Sequence, residues 1–223
     1  MNARIDTFVA PPCADHITIL YQDDAILLIN KPSGLLSLSG KNPLNLDSVH
    51  YRLEQQFPTA LLLHRLDFGT SGVMIVALNK MAAANINRQF QARTVVKTYQ
   101  AVLTGHVAAD EGDIELPIAK DAINFPKLKV CFETGKAASS HFQVLDRKTA
   151  PDTTRVLFTP STGRTHQLRI HSAAMGHPIL GCDLYGTAES QDMANRLLLH
   201  ANEIEFNHPI SEKGTLGISE CPF

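Results

Sequence analysis

The residue of this chain best placed to do chemistry is Asp67. It lies in the nonapeptide His64-Arg65-Leu66-Asp67-Phe68-Gly69-Thr70-Ser71-Gly72, a polar, turn-rich stretch set between apolar runs at 61–63 and 73–78. A loop held between two core strands is rigid at both ends, and Gly69 and Gly72 let its backbone turn sharply or approach a ligand closely. The plainer reading is a strand-to-strand turn in which Asp67 accepts backbone hydrogen bonds and Arg65 is solvated. Ser71 offers a second chemistry, a serine hydrolase with a histidine and a carboxylate. However, Gly69-Thr70-Ser71-Gly72-Val73 lacks the closing glycine of G-x-S-x-G. Farther on, Tyr99 carries a flat ring that can stack on a nucleobase, worth about 1–3 kcal/mol per base. It can equally pack into a core with its hydroxyl satisfied. Arg169 follows Thr165 and His166 by one helical turn, so the three share a face. Beside a buried carboxylate such an arginine lowers the Asp pKa by about 1–3 units, although spacing alone does not bring positions 67 and 169 together. His166 and His171 read as surface histidines; with no H-E-x-x-H and no second ligand cluster, a metal is not expected.

The elements that must position these groups are read from periodicity and turn chemistry. The runs 61–63 and 73–78 are too short and too rich in Val, Ile and Leu to prefer an isolated helix, so both are expected as buried strands. Residues 1–15 have little periodicity and contain Pro11-Pro12, which suggests a loosely held arm. Strands at 17–20 and 25–30 flank a polar turn, and Lys31-Pro32-Ser33-Gly34-Leu35-Leu36 closes the pair. Leu46, Val49, Leu53 and Phe57 have helical spacing, with Asp47 as N-cap, Leu46 and Tyr51 as a hydrophobic staple and Pro58 as the stop. A second helix over 80–93 turns Met81, Ala84 and Phe90 to the core, and a long strand over 94–107 carries Lys97 and Tyr99. Strands follow at 111–117, 137–146 and 153–159. Between them, 120–135 alternates lysines with apolar residues, either as a two-stranded flap over RNA or as an edge hairpin guarded against aggregation. A turn at 160–163 delivers a helix with Thr165 as N-cap, ending at Gly176. From His208 onward the composition suggests a surface tail.

Length and composition bound the class. At 223 residues and 44% apolar content the chain suits one domain. Its four cysteines are far apart with no C-x-x-C pair, which fits a reducing cytosol. No signal peptide opens it and no apolar run approaches the roughly 20 residues that cross a bilayer, so a soluble cytoplasmic protein is expected. A formal net charge of −2 argues against coating nucleic acid by bulk attraction. An RNA ligand would need a local basic face drawn from Arg88, Arg93, Lys97, Lys120, Lys127, Lys129, Lys136, Arg147 and Arg164, and interleaved acids make a solvated mixed surface the competing reading. An RNA-binding module without catalysis uses the same residues.

Resemblance sharpens these alternatives. HRLDFGTSG resembles the HRLDxxTSG signature of the RluA family of RNA pseudouridine synthases, and GRTHQLRIH at 163–171 is close to that family's GRTHQLRxH. KPSGLL resembles its first motif and Lys97-Thr98-Tyr99 its K-x-Y. His177-Pro178-Ile179-Leu180-Gly181 through Tyr185-Gly186 resembles HPILGDxxYG, here with Cys182 before Asp183, and RLLLHA at 196–201 is a further family-like run. The motifs span about 21–208 in family order. With no room before position 15 for an S4-type RNA-binding domain, the likeness is greatest to the short members that act on both 23S rRNA and tRNA.

The resemblance implies an α+β fold, a mixed, largely antiparallel central sheet with flanking helices and a central active-site cleft, in a single catalytic domain over 16–223. It implies a monomer, free of membrane, that isomerises uridine to pseudouridine in structured loops of 23S rRNA and/or the tRNA anticodon stem-loop, with no metal or organic cofactor. Asp67 is then the nucleophile, attacking either the ribose anomeric carbon or uracil carbon six. Tyr99 stacks on the base and assists proton removal, and Arg169 keeps Asp67 ionised. The target nucleotide is flipped out of its stack, and Arg65 helps fill the gap. Lys97, Arg164 and His166 complete the substrate-binding set.

Overall fold

The computed structural model describes residues 8–223. The chain forms two compact units, one containing the described residues up to Thr94 together with Glu205–Ser219, the other Val95–Ile204 together with Glu220–Phe223. The first unit begins with β1 (Thr18–Gln22) and β2 (Ile26–Lys31), continues through α1 (Val49–Glu54), β3 (Leu61–Leu62) and β4 (Ser71–Ala77), and reaches α2 (Lys80–Ala92). Antiparallel pairing joins β1 to β2, β2 to β4 and β3 to β4. Every residue of β4 is buried, as its uninterrupted apolar run requires, and β2 is buried except at Asn30. Side chains such as Met74, Ile75 and Val76 each contribute about 1.5–3 kcal/mol by leaving water.

Both helices of this unit depart from their expected phase. The N-cap of α1 is Ser48, whose hydroxyl accepts from Tyr51 N–H at 3.1 Å, and not Asp47. Asp47, one residue earlier, instead receives both Nε and Nη2 of Arg52, so an ion pair occupies the positions where a hydrophobic staple would sit, and Leu46 and Tyr51 are exposed. On α2, capped by Asn79, the buried face is Ala82, Ala83 and Ile86; Met81 and Ala84 are exposed, and Phe90 is half-buried against the His64 ring. A one-residue phase error turns a helix by about 100°, enough to exchange its faces. Residues 8–15 form no helix or strand but are tied down. The Asn45 amide accepts from Ala10 N–H and donates to Phe8 O, and Arg52 donates to the carbonyls of Cys13 and Asp15. The remainder of the expected arm, 1–7, lies outside the described residues.

The second unit contains β5 (Val96–Thr104), β6 (Glu111–Glu115), β7 (Ile118–Lys120), β8 (Leu128–Val130), β9 (Ser139–Thr149), β10 (Asp152–Pro160), α3 (Gln167–Ala174), α4 (Ala188–Asp192) and the start of β11 (Leu199–Asn207). Its sheet runs β11-β5-β10-β9-β6, with antiparallel ladders from β5 through β6. Ala101, Leu103, Val156, Phe158, Leu168 and Ile179 form its core. β7 and β8 make a separate two-stranded antiparallel hairpin, confirming a hairpin in the lysine-rich segment. The N-cap of α3 is His166 in the left-handed region at φ 57°, not Thr165, and it makes no side-chain cap bond.

The end of β11 returns to the first unit, where it pairs with β12 (Gly214–Ile218). The stretch from His208, expected as a surface tail, is therefore a turn and a strand. The polar residues of that turn hide the strand behind them. His208 Nδ1 accepts from Ile210 and Ser211 N–H, so Nε2 carries the proton and donates to Asp23 at 2.8 Å. Both units are α+β with largely antiparallel ladders, the class the motifs implied. Among the described residues no helix is long and apolar enough to cross a membrane.

Candidate active site

In the first unit, the turn at 31–37 is a cradle for the loop that carries Asp67. Lys31 is wholly buried, and its ammonium donates to the carbonyls of Pro32 (2.8 Å), Leu35 (2.7 Å) and Phe68 (3.3 Å). Gly34, at a φ of +75° that favours glycine, donates its N–H to Phe68 O at 2.9 Å. Ser33 Oγ donates to Gly69 O, while Ser37 Oγ both donates to Leu66 O and accepts from Leu66 N–H. Asp67 is thus fixed by its neighbours on both sides, and its own carbonyl accepts from Thr70 N–H at 3.1 Å. At the start of the loop His64 Nε2 accepts from Ile75 N–H at 3.0 Å, which makes the ring neutral with its proton on Nδ1. The Asp67 side chain is half-buried and Arg65 is exposed. Phe8 meets the Phe68 ring edge-on, with centroids 5.5 Å apart. Ser71, the nucleophile of the hydrolase alternative, is buried as the first residue of β4, which denies it to a substrate.

In the second unit, strand alternation places Lys97, Tyr99, Ala101 and Leu103 on one face of β5. Ala101 and Leu103 are in the core; Tyr99 packs on that core, opposite Phe158 of β10, and is half-buried. Lys97 lies one step farther along, and burial holds its ammonium below the usual lysine range.

Arg169 on α3 is buried. Its Nε donates to Cys182 Sγ at 3.3 Å, its Nη2 pairs with the Asp183 carboxylate, and its guanidinium lies 5.3 Å from the centre of the Tyr185 ring. His166 Nδ1 is 2.8 Å from the Tyr185 hydroxyl, which also accepts from Leu128 N–H at 3.0 Å. The structure therefore brings His166 and Arg169 together around Tyr185. Arg164 is directed elsewhere, its Nε donating to Ala137 O at 3.1 Å.

Two polar residues of the same helix are framework. Gln167 uses its whole amide, accepting from Thr162 Oγ1 and Arg164 N–H and donating to Ser139 O and Ser140 Oγ. His171 is not a surface residue but completely buried. Its Nε2 faces Leu116 O, which can only accept, so Nε2 carries the proton and Nδ1 accepts from Ser140 Oγ. Burial pushes the His171 pKa down, against the opposing bond to Leu116. Reading the sequence did not single out Lys31, Ser37, Gln167, Asp183 or Tyr185. All but Ser37 fall within quoted motifs, and that placement was the one available signal.

Comparison with known proteins agrees with these motifs. A family profile described as RNA pseudouridylate synthase matches residues 25–174. The chain is 52% identical over 191 residues to the dual-specificity RNA pseudouridine synthase RluA of Yersinia pestis, covering 86% of this chain and 92% of that protein. To the protein of the same name from Escherichia coli strain K12 it is 48% identical over 199 residues, 89% of this chain and 90% of the other. Among solved structures, human RNA Pseudouridylate Synthase Domain Containing 1 superposes with a TM-score of 0.80 at 31% identity, covering 96% of this chain and 86% of that one.

Proposed function

The chain belongs to the RNA pseudouridylate synthase family, and from that premise we propose that it isomerises uridine to pseudouridine in loops of 23S rRNA and tRNA, with Asp67 as nucleophile. The reaction breaks the bond between ribose C1′ and uracil N1, turns the base, forms a bond from C1′ to C5, releases the C5 proton to solvent and takes up a proton at N1. Nothing is oxidised and no group is added, so acid–base and nucleophilic chemistry suffice without a metal or organic cofactor. Attack by Asp67 on C1′ or on uracil C6 both require an ionised carboxylate. Arg169 supplies the cation that keeps it so, a role favoured by the burial of that arginine.

Tyr99, with the core behind its ring, stacks on the uracil. Because the reacting atoms are hidden in a stacked loop, the nucleotide is flipped out, at a cost of a few kcal/mol, and the exposed Arg65 fills the space left behind. Lys97 and His166 bind the RNA around the target, and Arg164 binds it farther out, from its place against Ala137 O. The hairpin of β7 and β8 extends this surface, since Lys120, Lys127 and Lys129 are exposed beside the exposed rings of Phe125 and Phe132. The protein works as a cytoplasmic monomer. That there are two kinds of RNA substrate rests on the name dual-specificity carried by the bacterial relatives, and that these are 23S rRNA and tRNA rests on the resemblance of the motifs.

The observation that carries the reading is the family match over a stretch that includes the Asp67 loop and the turn that cradles it. The test is tritium release from 23S rRNA and tRNA transcripts labelled at uracil C5, with wild type and Asp67→Asn compared. Release by the wild type alone is expected. RNA bound but unaltered by the wild type would instead identify a non-catalytic binding module, and release by Asp67→Asn would remove Asp67 from the mechanism.

A further inference from the structure

Tyr185 joins the β7–β8 hairpin to α3, two parts of the second unit that have no strand ladder in common. Its hydroxyl accepts from Leu128 N–H on β8 at 3.0 Å and lies 2.8 Å from His166 Nδ1. Its ring packs on the small cluster of Ile118, Ala138 and Ile170, against which Leu128 and Val130 of the hairpin also rest. The guanidinium of Arg169 lies over the same ring at 5.3 Å, inside the range of a cation–π attraction.

The hairpin and Arg169 both rest against Tyr185. A two-stranded hairpin is marginal on its own, and β7 and β8 form their own sheet, so their place is set by this cluster, by the Ile118–Lys136 bridge and by the Tyr185 hydroxyl. Arg169 has a weak acceptor in Cys182 Sγ and a carboxylate partner, Asp183, whose side chain is 64% exposed and therefore screened by water. The half-buried Tyr185 ring adds a contact on the face of the guanidinium, which neither of these two supplies. Tyr185 itself is held by a tight turn, in which Gly186 N–H donates to Cys182 O and a side chain at 186 would meet Cys182 O and Ser190 Oγ.

We infer that Tyr185 is a positioning residue through which the seating of the β7–β8 hairpin sets the orientation of Arg169, so that RNA held by the hairpin lysines steadies the arginine that serves Asp67. The last step rests on the function proposed above; the link from hairpin to Tyr185 does not.

The test compares Tyr185→Phe and Tyr185→Leu in the full chain. Hairpin seating is read by the rate of trypsin cleavage after Lys127 and Lys129, which needs no activity. Catalysis is read by tritium release. The phenylalanine variant keeps the ring and loses the hydroxyl. It is expected to be cut several-fold faster and to raise KM several-fold, while kcat changes by less than about two-fold. The leucine variant removes both the ring and the hydroxyl and is expected to add a fall in kcat of about ten-fold or more. Wild-type cleavage and KM in Tyr185→Phe would overturn the hairpin link, and wild-type kcat in a folded Tyr185→Leu would overturn the link to Arg169. Should the leucine variant not fold, cleavage and KM of Tyr185→Phe decide alone. Failure of the proposed function shows separately, as a wild type that releases no tritium, and the cleavage comparison still decides the hairpin link.

Discussion

The buried ammonium of Lys31 shows how residue chemistry supports this site at one remove from substrate. It gives the carbonyls of Pro32, Leu35 and Phe68 a charged donor, and the last of these adjoins Asp67. Lys31→Met keeps most of the volume and removes that donor, so a loss of about 2–4 kcal/mol is expected in urea denaturation, since each buried carbonyl deprived of its partner bears a desolvation cost. Turnover should fall with it as the Asp67 loop loosens; a variant as stable as the wild type would show that the cradle bonds are dispensable. Asp67, Tyr99 and Arg169 draw attention in the sequence because of their types and motif positions, which is why they carry the proposed mechanism. Lys31, Gln167 and His171 do not draw it, because a lysine in a turn and polar residues on a helix ordinarily face water. On α3 every residue from Gln167 to Ser172 is buried, so polarity there marks partners in β9 and not solvent.

At the scale of elements, apolar runs and turn residues located the strands well, and helix phase poorly. β2, β4, β5, β9 and β10 lie where alternation or continuous burial put them. On α1 two adjacent residues, Asp47 and Ser48, are both good caps by type, and only the backbone shows that Ser48 closes the helix. Ser48→Ala should cost about 1 kcal/mol. Asp47→Ala should cost less than about 0.5 kcal/mol, because its pair with Arg52 is solvated, the Asp47 side chain being 48% exposed. Urea denaturation of the two variants checks the order, and the reverse order would restore Asp47 as the cap. α2 carries the same lesson, since an alanine-rich helix offers too little contrast between faces for its phase to be read.

For the whole molecule, a formal net charge of −2 leaves RNA attraction to local clusters, and Lys127 and Lys129 stand exposed on one hairpin. If they neutralise phosphates, replacing both by alanine should reduce the slope of log affinity against log salt by about 1.4 for single-stranded RNA, at roughly 0.7 per phosphate. Filter binding of a tRNA stem-loop between low and moderate salt measures it, and an unchanged slope would remove the hairpin from the interface. By itself the sequence determined the family, the α+β class and the order of the motifs, because turn residues, apolar runs and reactive side chains are properties of short stretches of chain. Only the tertiary structure decided which polar residues are framework and which face outward. Ser37 meets Leu66 across 29 positions and His171 meets Leu116 across 55. Burial of a polar group is tolerable only when such a distant partner satisfies it, and no local pattern encodes where that partner will be.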